Sequence, residues 1–308
     1  MYSFSRCYKF SYHSYKNRFM DYASQIVLPK NGEIYSILND AALKAKIVCF
    51  TGLPGVGKSL YVQQFAYLAL NNNRNISILQ WDGARLGFET DEVLQIYPEI
   101  DGVTHAGIRK SCGLWSRKAV IDWYKLHKED NDVLILEAPL VGNRLVELGK
   151  FFEDDAEGIL ASEDTQFILP IPSDDIRKMI IGKREETSEN PVHEMEKADA
   201  QPHVLTALYN EICAIGKKWD MANLLNENLP YDASFYEALY KKVLKARNVK
   251  SLYINQAFKV DSAYAIEEKF TKLKPSHEDV SHFVSIIKNK FSNDAELENA
   301  VQDWYLTK

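Results

Sequence analysis

A chain of 308 residues is long enough for one large α/β domain with insertions or for two modest domains, and either can bury a proper core. Its composition, 46% hydrophobic and 26% charged, is ordinary for a globular protein, and no stretch approaches the roughly eighteen uninterrupted apolar residues that a membrane span needs. The formal net charge of -6 gives no general pull toward nucleic acid, although an acidic total is compatible with a local basic groove, so small ligands are the favoured partners.

The chain opens with Arg6, Lys9, Lys16 and Arg18 and has no acid before Asp21. Residues 1–20 therefore read as a disordered or targeting tail, or as a stretch ahead of a true start at Met20, and residues 21–45 as a lead-in. Cys7, Cys49, Cys112 and Cys213 lie far apart, without the close pairs of a zinc site or the density of a secreted scaffold. Reduced thiols in a cytoplasmic protein are the expectation.

The apolar run at 45–51, ending in a glycine, predicts a buried parallel strand. Residues 59–70 place Leu60, Val62, Phe65, Ala66 and Ala69 at helical spacing, and Asn71, Asn72 and Asn73 then stop the helix. Further strands are expected at 76–81, at 132–138 around a Val-Leu-Ile-Leu core, at 165–171 and at 251–258. Helical patterns at 107–127 and 202–226 separate them, so the sheet should be mostly parallel. A last helix is predicted over 276–290, with Ser276 as N-cap and Glu278 and Asp279 in its first turn, and a helical tail over 291–308. The fold expected is a three-layer α/β sandwich with a five-stranded parallel sheet, spanning 46–290, with the strand before Lys58 in its middle.

Gly52-Leu53-Pro54-Gly55-Val56-Gly57-Lys58-Ser59 is a glycine, four free positions, then Gly-Lys-Ser, set between a predicted strand and a predicted helix. That pattern is the phosphate-binding loop of P-loop NTPases. Its glycines let the amides of Gly52, Gly55, Val56, Gly57 and onward to Leu60 turn toward a β-phosphate; Lys58 reaches the β- and γ-phosphates; and the Ser59 hydroxyl ligates magnesium at a helix N-terminus. No Asn-Lys-x-Asp guanine signature is present, so ATP with magnesium is the expected ligand pair. Glu137 ends the apolar strand, where doubly wound sheets gather their ligands, and is a candidate for the magnesium shell, for orienting a water or for contacting substrate.

Directly after the second strand comes Gln80-Trp81-Asp82-Gly83-Ala84-Arg85-Leu86-Gly87-Phe88. Taken with the glycine loop and Glu137, this segment resembles the small-molecule P-loop kinases, the group of adenylate, shikimate and adenylyl-sulfate kinases. Its Asp82-to-Gly87 part is similar to the substrate loop of adenylyl-sulfate kinases, but lacks a second acid near Ala84 that those would carry. The resemblance implies that Asp82 meets the accepting hydroxyl and that Arg85 holds the acceptor's anionic group. It also implies a lid after the fourth strand, here 173–200, where Arg177 and Arg184, seven apart on one helix face, would close over the transferred phosphoryl group. Within 183–200 the chain turns charged and carries Pro191, as an exposed segment does. His105, Arg109, Lys110 and Arg117 border the expected substrate pocket, and any of them is a candidate for an anionic acceptor. His193 and His203 lack metal-ligand spacing.

These features point first to a kinase that moves the γ-phosphoryl group of ATP to a small hydroxyl-bearing or anionic acceptor. Two alternatives stay open at this level: an NTP hydrolase acting as switch or motor, with Glu137 polarising a water, and an RNA or polynucleotide kinase, against which the acidic pI argues.

Overall fold

Side chains alternate across a strand, so a strand that is apolar at every position must be covered on both faces. β1 (Ile47–Thr51), β2 (Asn75–Gln80), β3 (Asp132–Ala138) and β4 (Thr165–Pro172) follow that rule, and almost all of their residues are buried. Ile47, Cys49, Leu79, Leu134, Leu136, Phe167 and Leu169 face one core, while Val48, Phe50, Ile76, Ile78, Val133, Ile135 and Ile168 face another. The structure is a computed structural model that describes residues 22–100, 102–129, 131–189, 202–226, 229–260, 262–263 and 270–306. The tail at 1–20, Cys7, His193 and the segment 190–201 of the expected lid lie outside them.

With β5 (Val249–Ile254) and β6 (Thr271–Lys272), the sheet has six strands in the order β5-β4-β1-β3-β2-β6, every neighbouring pair parallel. The expected five-strand count is thus one short. β6 is a two-residue, fully exposed edge strand whose Thr271 and Lys272 pair with Ser77 and Ile78, and two polar residues leave no periodic trace. β5 also ends earlier than predicted, at Ile254.

One core lies beneath α1 (Glu33–Lys44) and α2 (Lys58–Asn71). The other is covered by α3 (Trp81–Phe88), α4 (Asp91–Ile96), α5 (Ala106–Leu126), α6 (Val146–Gly149) and α7 (Asp155–Leu160). α8 (Asp174–Glu189) leaves the carboxyl end of β4, and its Ile176 joins the first of these cores. Then α9 (Pro202–Lys218), α10 (Ala233–Val243), α11 (His277–Lys290) and α12 (Asp294–Gln302) complete the second layer. The chain is therefore α/β with an all-parallel sheet between helical layers.

Three boundaries differ from the sequence reading. α1 buries Leu38, Ala41 and Ala42, so it is part of the packed body and no mere lead-in. At the other end, Leu297, Val301, Trp304 and Tyr305 are core residues, and the Trp304 indole donates to Glu211 Oε1 at 2.6 Å. Residues beyond 290 are integral for that reason. α9 stops at Lys218, short of Asn226, because Asp220 takes the left-handed conformation (φ 57°). The α11 start is as predicted: Ser276 caps it, and Asp279 returns the bond to complete a capping box.

Under the sheet's amino-terminal side, a buried ionic cluster ties α5, α6 and α7 to the turn before β5. Arg117 bonds Asp154 and, at 3.1 Å, Glu157 Oε2; Arg247 bonds both oxygens of Glu157 and the Leu148 carbonyl at 2.9 Å. Burial alone would raise the Glu157 carboxyl, but the hydrogen bonds and charge of Arg247, with help from Phe152 and Arg117, leave it below the ordinary value of 4.5. A carboxyl lowered in the folded state stabilises fully above its unfolded pKa, and loses that contribution as pH falls through the folded one. Stability should therefore drop below about pH 4.5 in wild type. In Glu157→Gln the same drop should be shallower, from a lower starting point, when denaturant midpoints are followed between pH 7 and 3; parallel curves would remove Glu157 as a source of the acid sensitivity.

Candidate active site

β1 has β3 on one side and β4 on the other, so successive crossovers leave it in opposite directions. Such a switch point opens a crevice at the carboxyl ends of the strands. The glycine loop lies in it, joining β1 to α2. Gly57 is the N-cap of α2 with φ 88°, in the left-handed region that a side chain disfavours. Gly52 has φ 119°, and a Cβ there would stand 2.1 Å from the hydroxyl of Tyr236 on α10. The loop is thus pressed against the layer behind it. Val56 buries its side chain in the core, which leaves its backbone as its contribution to the loop. Lys58 is 7% exposed and donates to the carbonyls of Gly52 at 2.8 Å and Leu53 at 3.0 Å, lying back across the loop it follows.

Sheet register sets the next group. Glu137 pairs with Phe50 on one side and with Gln80 on the other, so the last turns of three strands meet at one level. Its Oε1 accepts from the Ser59 hydroxyl at 3.2 Å and its Oε2 from the Gln80 amide at 2.8 Å. A hydroxyl and a carboxylate held together at a helix N-terminus form an oxygen donor set of the kind magnesium prefers.

A cavity of about 300 Å³ spreads above this level. Gly55, Gly57, Lys58, Ser59 and Leu60 form its floor. Toward β5 the wall is apolar, from Ile176 and Ile180 of α8 and from Ala257, Phe258 and Val260 beyond the strand. Among its charged lining residues, Lys58, Arg144, Lys183 and Arg184 outnumber Asp82 and Glu137 by four to two, a local excess of positive charge in a chain of net charge -6. The cavity therefore favours an anion with an apolar portion.

Asp82, with its side chain 43% exposed, lines the cavity from the first turn of α3, a helix where a loop was expected. Arg85 does not join it there. Its Nη1 is bound by both oxygens of Glu89, at 3.0 and 3.1 Å, and it stands 3.8 Å from Asp82. Arg109 is buried away from the cavity, donating to the Gly142 carbonyl at 3.0 Å and facing Glu298 at 3.6 Å. His105 stacks on Tyr97 and caps α5 by accepting from the Gly107 amide; Lys110 faces Glu147; Arg117 belongs to the ionic cluster. None of these four walls the cavity. Arg184 does, but Arg177, seven residues earlier on the same helix, is buried against Tyr209 and Tyr231, with ring centroids 5.0 and 4.6 Å from its guanidinium carbon.

Arg144, to which the sequence pattern assigned no role, lines the cavity where Arg85 does not. It follows β3 on a turn in which Leu140, Gly142, Asn143 and Leu145 all have φ between 51° and 59°. Left-handed backbone at non-glycine residues costs roughly 1–2 kcal/mol each. The turn is held by Arg109 on Gly142, by the Tyr240 hydroxyl on the Pro139 carbonyl at 3.0 Å and by the Asn143 amide on the Val301 carbonyl at 2.9 Å. Its outcome is a guanidinium that lines the cavity near Asp82 and has no hydrogen bond or ion pair to any described residue. Burial, and then the like charge of Arg109, lower its pKa to about 10, so it stays cationic at neutral pH. The signal was Val-Gly-Asn-Arg after an apolar strand, a turn-former pair ahead of a lone arginine.

Among the described residues no cluster of His, Cys, Asp or Glu could hold a metal by itself, and no helix is long and apolar enough to cross a membrane. Cys49, Cys112 and Cys213 are free thiols. Set beside known proteins, the chain matches no family model, no curated protein and no solved structure.

Proposed function

We propose that the chain is a P-loop kinase that binds ATP with magnesium and transfers the γ-phosphoryl group to a small acceptor carrying a hydroxyl and a negative charge. The observation that carries this reading is the convergence, on one cavity at the sheet's switch point, of Lys58, Ser59 and Glu137 beneath and Asp82 and Arg144 at the side. The amides of the glycine loop and the N-terminus of α2 suit the β-phosphate, and Lys58 suits the β- and γ-oxygens. Ser59 and Glu137 are the residues fit to hold magnesium, which when bound neutralises charge on the phosphates.

In the transfer, the acceptor oxygen bonds to the γ-phosphorus as the bond from that phosphorus to the β-γ bridging oxygen breaks, and ADP leaves with the electron pair. The hydroxyl proton passes to Asp82. Arg144 is suited to the acceptor's anionic group, and Arg184 with Lys183, across the cavity on α8, to the charge that develops on the moving phosphoryl group. The apolar wall of Ile176, Ile180 and Phe258 suits the base. One feature favours transfer over hydrolysis: both oxygens of Glu137 are already hydrogen-bonded, to Ser59 and Gln80, which fits a magnesium-shell role better than a general base for water.

Lys58→Ala should weaken ATP-magnesium binding at least about tenfold, or roughly 1.4 kcal/mol, by calorimetry; an unchanged constant would overturn the nucleotide site itself. An ADP-release screen over hydroxylated, phosphorylated and carboxylated metabolites identifies the acceptor. With that acceptor, Asp82→Asn should lower turnover by about a hundredfold with ATP affinity intact, because the amide keeps the shape but cannot take the proton. Activity within twofold of wild type would remove Asp82 from the chemistry. Arg144→Ala should raise the acceptor KM by about ten- to a hundredfold, the range of a lost charged hydrogen bond, and leave ATP binding alone. A KM that stays put would mean that the acceptor's charge is met elsewhere.

A further inference from the structure

α8 has a cavity on each side. Ile176, Met179, Ile180 and Lys183, spaced three and four apart, line the one already described. Asp174, Arg177, Lys178 and Ile181, with the same spacing on the opposite face, line a second cavity of about 500 Å³. α9 is shared in the same way: Val204 and Leu208 face the first, and Thr206, Tyr209, Asn210, Cys213 and Lys217 the second. Leu225, Asn226, Leu229, Pro230 and Tyr231 also line the second cavity.

Arg177 is the unusual group in it. It is 5% exposed, and its Nε and Nη2 are buried without a hydrogen-bond partner. Among the described residues no carboxylate pairs with it. Asp174 pairs instead with Lys178, and the guanidinium is steadied only by the faces of Tyr209 and Tyr231. Two aromatic faces hold a guanidinium in place, but they accept none of its hydrogen bonds. A buried cation that lacks a counter-charge costs several kcal/mol, and its charge is disfavoured here by burial before anything else. What would satisfy it is an anion entering from the cavity. Around Arg177 the described lining residues add Lys178 and Lys217 against a single acid, Asp174, and also include Ile181, Leu225, Leu229 and Pro230. A lining that combines positive charge with apolar surface matches one class of ligand.

We propose that the cavity between α8, α9 and residues 229–231 is a second binding site, which takes a small organic anion, a carboxylate or phosphate on an apolar body, with its charged group on Arg177. The site is separate from the nucleotide reading and stands whether or not that reading holds. Its occupant would lie against the back of the helix that walls the first cavity, so a ligand here has a direct mechanical route to that cavity.

The test titrates the full-length protein by calorimetry with phenyl phosphate and with benzoate, and with benzyl alcohol as a neutral match. Wild type should bind at least one anion at millimolar concentration or below and bind benzyl alcohol at least about tenfold more weakly. Arg177→Met, which keeps the length and loses the charge, should weaken the anion at least about tenfold, while Arg144→Ala, in the other cavity, should leave it within twofold. Asp174→Asn removes the only acid among the described lining residues and should tighten binding severalfold, which decides the matter even where Arg177→Met fails to fold. Binding of neither anion up to about 10 mM, equal affinity in a folded Arg177→Met, loss of binding in Arg144→Ala, or no tightening in Asp174→Asn would each overturn the proposal.

Discussion

Everything at the carboxyl edge of the sheet hangs on one level of pairing, in which Phe50, Glu137 and Gln80 lie side by side on β1, β3 and β2. Parallel strands started at different points along the chain have no turn to set their register, so packing of the two apolar faces must set it. A one-residue slip of β3 would exchange the side chains of Leu134, Leu136 and Ala138 with those of Val133, Ile135 and Glu137 between the two cores. That would bury a carboxylate and withdraw it from Ser59. The hydrophobic alternation that builds the sheet is therefore also what delivers Glu137 to the glycine loop.

Above that level the structure trades backbone comfort for position. Three non-glycine residues in the 140–145 turn are left-handed, at a cost of a few kcal/mol together, and the braces come from three different elements: Arg109 of α5, Tyr240 of α10 and the end of α12 through the Val301 carbonyl. Hydrogen bonds from charged or buried donors offset strain of that size. Arg109 thus acts on Arg144 indirectly, as a positioning residue, and residues beyond 290 reach the site through Asn143. A chain end read as a tail holds part of the wall in place.

How much of this could be read beforehand depended on how local the information was. The glycine loop, its flanking strand and helix, the central place of β1 and the Ser276 cap were legible because each is written within a dozen consecutive residues with a strong periodic or steric signature. Glu137 was legible as a carboxylate ending an apolar strand. β6 was not, since an exposed two-residue edge carries no period, and neither was the trade between Arg85 and Arg144. Both arginines follow strands, at β2 and β3, but Arg85 has Glu89 one helical turn on, a pairing that shows only once 81–88 is known to be helix and not loop, and Arg144 has no such neighbour and lines the cavity. The same reason separates His105, Lys110 and Arg117 from the cavity: each met a partner closer in space than in sequence.

Arg177 and Arg184 show the limit of face arithmetic more sharply. Seven residues return a helix to within about 20° of its starting direction, so the two should point alike. Yet the boundary between the two faces of α8 runs close to both, and a long side chain near a boundary follows whichever environment attracts its head group. At Arg177 the attraction is a pair of tyrosine rings, from α9 and from the segment before α10; at Arg184, further from them, it is the cavity shared with Lys58. One helix thereby presents cations to both sides. A rotation of α8 that moved Arg184 within the first cavity would also move Arg177 between its rings.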